Sequence, residues 1–171
     1  MIDRDLPADI SDFVADLRRQ EVAEKTVTSY RSDMLGFARW QADTTGEAFA
    51  APRITPTDLR DYRAHLRTVQ RRAPATVNRR LAALRRFFTW AKATGRVREL
   101  PTEGVKGVPG PPRTPKSLAK RELDRLLRAA EQEGNKRNLA ILLTLRHAGL
   151  RVGELCNLRL ADLASPSARD A

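Results

Sequence analysis

The sequence predicts a mainly α-helical chain in two parts. Apolar residues recur at helical spacing through the first hundred residues, and no useful strand-like alternation appears before Val152. Residues 95–115 hold five of the ten prolines and four of the nine glycines, so this stretch is predicted to be a linker. We therefore expect a helical bundle over residues 8–94 and a second unit over residues 116–163, followed by a polar tail over residues 164–171.

A bundle of four or five helices is predicted in the first part, and four of them can be placed. Ser11 or Asp12 is suited to cap the first, and the second begins at Thr26. Thr57 is predicted to cap the third, and Pro74 stands near the first turn of the fourth. The residues of the first three helices that we expect to face a shared core are Phe13, Val14, Leu17, Val27, Tyr30, Met34, Phe37, Leu59, Tyr62, Leu66 and Val69.

The charge balance points to a polyanionic partner. There are 32 Lys plus Arg against 21 Asp plus Glu, which gives a net charge of +11. Double-stranded DNA is the expected partner rather than a membrane, since no apolar run approaches the roughly 20 residues of a spanning helix. With no signal peptide and one cysteine, Cys156, we expect a cytoplasmic protein. Two distant histidines and no glycine-rich phosphate loop predict neither a metal nor a nucleotide cofactor.

The fourth helix is the main candidate for DNA contact. A projection at 100 degrees per residue places Val77, Leu81, Leu84, Phe88 and Ala91 on one narrow core face. Arginine suits guanine edges or phosphate and asparagine suits adenine, so the opposite side predicts a groove-binding surface. The alternative is a solvated basic face. The opposite side carries Arg79, Ala82, Ala83 and Arg86, flanked by Asn78, Arg80 and Arg85.

Two further sets of residues are candidates for phosphate contact. The start of the second helix offers backbone amides together with polar side chains, which suits an anion. Arg71 and Arg72 precede the fourth helix and are expected to attract phosphate without reading bases. The candidates at the start of the second helix are Lys25, Thr26, Thr28, Ser29 and Arg31.

The most informative segment is residues 139–162, LAILLTLRHAGLRVGELCNLRLAD. Its first half predicts a helix that is apolar on most sides and therefore buried. Gly149 ends that helix, and Arg151 opens the next. Two readings of Arg151 stay open: it binds a phosphate or carboxylate, or it pairs with Glu154 and stabilises the corner.

This segment resembles the first catalytic box of the tyrosine recombinase (phage integrase) family. The matching residues read AGLRVGEL, followed by Leu158 and Asp162; Ala148 and Gly153 stand where the family often has Thr and Ser. Three upstream stretches resemble the family in the same order: KTVTSYRSDMLGFARW (25–40), ATVNRRLAALRRFFTW (75–90) and TPKSLAKRELDRLL (114–127). The resemblance implies a SAM-like core-binding domain, then the first helices of a mixed α/β catalytic domain.

The resemblance also implies a chemistry. In the family a tyrosine attacks a DNA phosphate, and the residue matched by Arg151 binds that phosphate with support from the acid matched by Glu154. A lysine, a His-x-x-Arg box, a further His or Trp and the tyrosine are expected after Arg151, whereas this sequence continues only to ASPSARDA. We therefore expect a truncated, catalytically incomplete catalytic domain.

Two functions stay open. One is the DNA-binding portion of a site-specific recombinase or integrase, acting with a second copy or a full-length recombinase on DNA. The other is a stand-alone DNA-binding regulator that occupies recombination sites and blocks the active enzyme. An unrelated architectural protein would have no use for the AGLRVGEL box.

Overall fold

A computed structural model describes residues 6–111 and 117–162. The chain divides into two compact units, Met1–Pro112 and Arg113–Ala171. Within the described ranges all regular structure is helical, which confirms the mainly α-helical prediction. The predicted polar tail and the end of the predicted linker, residues 112–115, lie outside the described ranges.

The first unit is a bundle of four α-helices. Helix α1 spans Ala8–Arg19, α2 spans Glu24–Thr45, α3 spans Pro56–Thr68 and α4 spans Pro74–Ala93. A short 3-10 turn, Ala51–Arg53, lies between α2 and α3. Each of α1, α2 and α3 packs against α4, so α4 is the central element of this unit.

The second unit contains α5 (Lys120–Glu133), α6 (Lys136–Ala148), α7 (Val152–Asn157) and a 3-10 turn at Leu160–Asp162. Gly149 ends α6 in the left-handed conformation, with φ of 62°, as predicted. The predicted burial of the apolar helix is wrong for the described residues: α6 has no buried side chain, and Leu143 is 38% exposed. Within this unit α6 packs mainly against α5 and α7, and its leucines are half-buried or exposed.

The observed helix starts differ from three predictions. Helix α1 begins at Ala8 after Pro7, so Ser11 and Asp12 lie inside it and cap nothing. Helix α2 begins at Glu24, two residues before Thr26.

The third difference concerns the cap of α3, which is Thr55 rather than Thr57. The Thr55 hydroxyl accepts from the backbone N–H of Asp58 at 3.3 Å, and the Asp58 carboxylate accepts from the Thr55 N–H at 2.8 Å. Pro56 then takes the first helical position, as Pro74 does in α4, because a fixed φ and a missing N–H cost nothing there.

The core of the first unit is rich in aromatic side chains. Phe13 and Phe87 pack edge to face at 5.4 Å between ring centroids, and Phe37 and Tyr62 do so at 5.0 Å. The predicted core face of α4 is buried throughout. That face is wider than the projection suggested, because Phe87 and Ala83, one turn apart, are also buried. Ala83 therefore does not belong to the exposed side.

Residues 97–108, which we call the strap, are packed against the first unit and do not form a free spacer. Val97 and Val105 are buried in the same core as the helices. Two arginines hold the strap backbone: Arg63 donates from Nη1 to the carbonyl oxygen of Lys106 at 2.8 Å, and Arg85 donates from Nη2 to that of Val105 at 2.7 Å. Much of the predicted linker is thus folded onto α3 and α4.

Asn78 is the third residue whose side chain binds the strap backbone. Its side-chain amide donates to the carbonyl oxygen of Val108 and accepts from the Val108 N–H, both at 2.8 Å. Gly107 passes so close that a Cβ placed there would lie 2.8 Å from Asn78 Oδ1. The absence of a side chain at residue 107 therefore allows the Asn78 amide to reach the backbone.

We predict that Gly107→Ala destabilises the first unit by about 1–3 kcal/mol, because the Asn78 amide must move and lose its backbone partners. Urea denaturation followed by circular dichroism measures this change in unfolding free energy. Gly110→Ala is the matched control, since its Cβ would meet Pro74 at an ordinary 3.5 Å. Both variants lose the same unfolded-chain freedom. Equal stability of the two variants would contradict the proposed fit.

Candidate nucleic-acid interface

The start of α2 and the exposed side of α4 line one cleft of about 380 Å³. Lys25, Thr26 and Ser29 contribute from α2, and Arg79 and Ala82 contribute from α4. The two surfaces that the sequence suggested separately are therefore brought together. The small side chain of Ala82 leaves the cleft open between the polar groups of the two helices.

A buried carboxylate lies beneath this cleft. Asp33 of α2 is only 5% exposed, and it faces two consecutive arginines of α4. Arg79 donates from Nη1 to Asp33 Oδ2, and Arg80 Nε lies 3.8 Å from Asp33 Oδ1. Sequence reasoning missed Asp33. The available signal was an acid at a helical spacing shared with Tyr30 and Phe37, since such a position on a core face needs a cation.

The two arginines differ in exposure and in role. The Arg79 side chain is 53% exposed, whereas that of Arg80 is 19% exposed. Arg80 contacts the Tyr62 hydroxyl and Gln70 Oε1, both at 3.4 Å. Burial raises the pKa of the Tyr62 hydroxyl, and the nearby Arg80 guanidinium opposes that shift. The structure thus places Arg80 in an interior network, in contrast to its predicted place on the DNA-facing side.

The remaining candidates of α4 also differ in their exposure and in their hydrogen-bond partners. Arg86 is exposed two turns beyond Arg79 and donates from Nη2 to Gln20 Oε1 at 3.0 Å. Asn78, predicted to contact adenine, has its amide bonded at both ends to the strap. Arg85 holds the strap as well. Of the α4 candidates, Arg79 and Arg86 are the ones with substantial exposure and no strap contact.

The other predicted phosphate contacts are more scattered. Thr28 is exposed and Arg31 is half-buried on α2. Arg71 and Arg72 lie in the turn between α3 and α4, where Arg71 adopts a left-handed φ of 49°. Arg72 lines a different cleft, of about 460 Å³, with Trp40 and His65 among its neighbours. Arg71 and Arg72 are therefore not part of the α2–α4 cleft.

The start of α2 also carries a negative charge. Glu24 occupies the first turn and pairs with Arg18 at 3.0 Å. The hydrogen bond from Arg18 lowers the pKa of the Glu24 carboxyl. The phosphate site predicted for the free amides of α2 thus has an ionised carboxylate beside it, and the side chains of Lys25, Thr26 and Ser29 are the stronger candidates.

Arg151 lies in the second unit at the start of α7. Its side chain is 87% exposed and donates from Nη1 to Glu154 Oε1 at 2.8 Å, while its backbone N–H donates to Oε2 at 2.7 Å. The backbone N–H and then the guanidinium lower the pKa of the Glu154 carboxyl. The corner is thus closed by the Arg151–Glu154 pair, and the arginine side chain is largely exposed.

The described residues contain neither a metal-binding cluster nor a membrane-spanning helix. No group of His, Cys, Asp and Glu side chains in these ranges is arranged to hold a metal ion. Among the helices described, none is long and apolar enough to cross a membrane.

Comparison with known proteins identifies the family. A profile of the phage integrase N-terminal SAM-like domain matches residues 10–95, half of the chain. The chain belongs to the phage integrase family. The matched range contains nearly all of α1 to α4 and both sides of the cleft, and it ends before Arg151. The resemblance inferred from sequence motifs is thus confirmed, and the first unit is a SAM-like domain of the tyrosine recombinase type.

Two relatives and one solved structure are similar to this chain over most of its length. Tyrosine recombinase XerD of Ralstonia nicotianae is 30% identical over 144 residues, which cover 83% of this chain and 45% of the relative. XerD of Xanthomonas campestris pv. campestris is 37% identical over 142 residues, 81% of this chain and 42% of the relative. A crystal structure of XerA recombinase aligns with a TM-score of 0.45 at 26% identity, over 91% of this chain and 51% of that chain. The chain spans about half the length of these relatives.

We predict that the Glu154 carboxyl titrates below the ordinary glutamate range. In Arg151→Ala its pKa rises only part of the way back, because the backbone N–H of residue 151 still donates to the carboxylate. The hydrogen bonds are present above the ordinary pKa and are lost as pH falls through the lowered one. Carbon-detected NMR titration of the side-chain carboxyl measures both values. An identical pKa in the two proteins would contradict the observed pair.

Proposed function

We propose that this chain is the DNA-binding portion of a site-specific tyrosine recombinase and that double-stranded DNA binds along the α2–α4 cleft. One observation supports the proposal above all: Lys25, Thr26 and Ser29 of α2 line the same cleft as Arg79 of α4. This cleft lies on the surface of a SAM-like recombinase domain. The net charge of +11 favours association of the chain with a polyanion.

The side chains of the cleft suit different parts of a duplex. Lys25, Thr26 and Ser29 offer an ammonium and two hydroxyls, which suit phosphate oxygens. Arg86 is exposed on the same helix as Arg79 and extends the positive surface beyond the cleft. Ala82 between them has a short side chain, so α4 can approach a groove closely. This division supports phosphate contacts that position the protein and a smaller set that meets base edges.

We propose that Arg151 stabilises the scissile phosphate in the complete recombinase. Its guanidinium is exposed, and Glu154 holds one nitrogen while others face outward. Such preorganised donors stabilise charge that develops on the non-bridging oxygens in the transition state. The printed sequence after Arg151 contains no tyrosine and no histidine. For these 171 residues alone we therefore expect DNA binding without strand cleavage, and no metal or nucleotide requirement.

A stand-alone regulator that occupies recombination sites would bind DNA through the same cleft. We also propose that the chain is cytoplasmic and that it acts on DNA with a second copy of itself or with a full-length recombinase. Inhibition of an active relative by the 171-residue chain would favour the regulator. Restoration of strand exchange by addition of a separate catalytic fragment would favour the recombinase portion.

We predict that Lys25→Ala combined with Arg86→Ala weakens binding to a random-sequence duplex. The negative slope of log K against log[salt] should become shallower by about two, since each phosphate contact contributes about 0.9 to its magnitude. Fluorescence anisotropy across a salt series measures this change. The matched control is Arg60→Ala with Arg67→Ala, which removes the same charge from exposed positions of α3, outside the cleft. An equal loss in the control would contradict the choice of surface, and salt-independent binding would contradict the electrostatic basis.

A further inference from the structure

The interaction between Asp33 and Arg79 assigns a more specific task to this arginine. We propose that Arg79 is a specificity-determining residue that selects guanine in the bound duplex and that Asp33 is its positioning residue. This inference rests on the proposed DNA-binding function and goes one step beyond it, from a surface to the base that the surface reads.

The position of Asp33 explains why Arg79 is held in one orientation. A carboxylate that is 5% exposed has lost nearly all of its water and is stable only with cationic or hydrogen-bonding partners. Arg79 supplies one such partner through Nη1, and the half-buried Arg80 stands on the other side. Release of Arg79 would leave Asp33 poorly compensated. The guanidinium is therefore fixed before DNA arrives.

The same pair changes what Arg79 can contribute to binding. Asp33, which also faces Arg80, balances part of the positive charge of Arg79, so Arg79 adds less to phosphate attraction than an unpaired arginine does. Its remaining N–H donors keep their direction, and 53% of the side chain faces solvent. Guanine presents two acceptors, O6 and N7, at one edge in the major groove, which match two donors of a guanidinium. An arginine that is held in one orientation and is partly charge-balanced is suited to this edge.

Arg86 provides the contrast within the same helix. Its partner is the neutral amide of Gln20, at 3.0 Å, so its charge stays uncompensated by that contact. Arg86 is suited to phosphate, which carries no sequence information. Arg79 and Arg86 thus have different partners, and the partners predict different effects on affinity and on base preference.

Selection from a pool of randomised duplexes tests the proposal, with the preferred sequence determined for each protein. We expect wild-type protein to enrich a guanine at one position and Arg79→Lys, which keeps the charge but not the fork, to lose that preference by at least about tenfold. Asp33→Asn should lose the same preference, while the slope of log K against log[salt] on random-sequence duplex steepens by about one. Arg86→Ala should weaken binding to all sequences and keep the guanine.

The outcomes separate this inference from the proposed function. Guanine enrichment that persists in Arg79→Lys, or a wild-type protein that binds duplexes with no base preference, overturns the base-reading role alone. Guanine enrichment that persists in a folded Asp33→Asn overturns the positioning role. If thermal melting shows that Asp33→Asn does not fold, Arg79→Lys carries the test, because it alters a half-exposed side chain. No binding of wild-type protein to random-sequence duplex overturns the proposed function as well.

Discussion

Phe87 and Phe88 of α4 are completely buried against the other helices of the first unit, and their burial fixes where every polar side chain of α4 points. A buried aromatic side chain removes a large apolar area from water, so the rotation of this helix is strongly determined. With that rotation fixed, Asn78 and Arg85 meet the strap, Arg80 enters the interior, and the other two arginines remain toward solvent. One packing constraint thus divides the polar residues of a basic helix into those that bind the rest of the first unit and those that face solvent.

The spacing of apolar residues was sufficient to predict which segments form helices. The 3.6-residue period identified the core face of α4, Pro74 marked its start, and Gly149 marked the end of α6. Cap positions were less determined, since Thr55 and Thr57 are equally plausible caps until the place of Pro56 in the helix is known. The resemblance to the family could be seen in the sequence because the box around Arg151 and three upstream motifs occur in the family's order. A single short match would not have been enough.

The polar residues could not be assigned from periodicity. A projection places Asn78, Arg80 and Arg85 beside Arg79, yet their partners come from distant parts of the chain. The strap was predicted to belong to a linker because proline and glycine exclude a helix, but they do not exclude an extended segment that side chains bind. Asp33 was missed for a related reason: an acid on a core face is explained only by the arginines that another helix brings to it.

The proposed function requires that DNA lies along the cleft between α2 and α4. Titration of isotope-labelled chain with a duplex, followed through backbone amide and arginine side-chain NMR signals, tests it most directly. We expect the largest changes at Lys25, Thr26, Ser29, Arg79 and Arg86, with small changes at Arg60 and Arg67 of α3. Changes centred on α3, with the signals of the cleft unaltered, would contradict it.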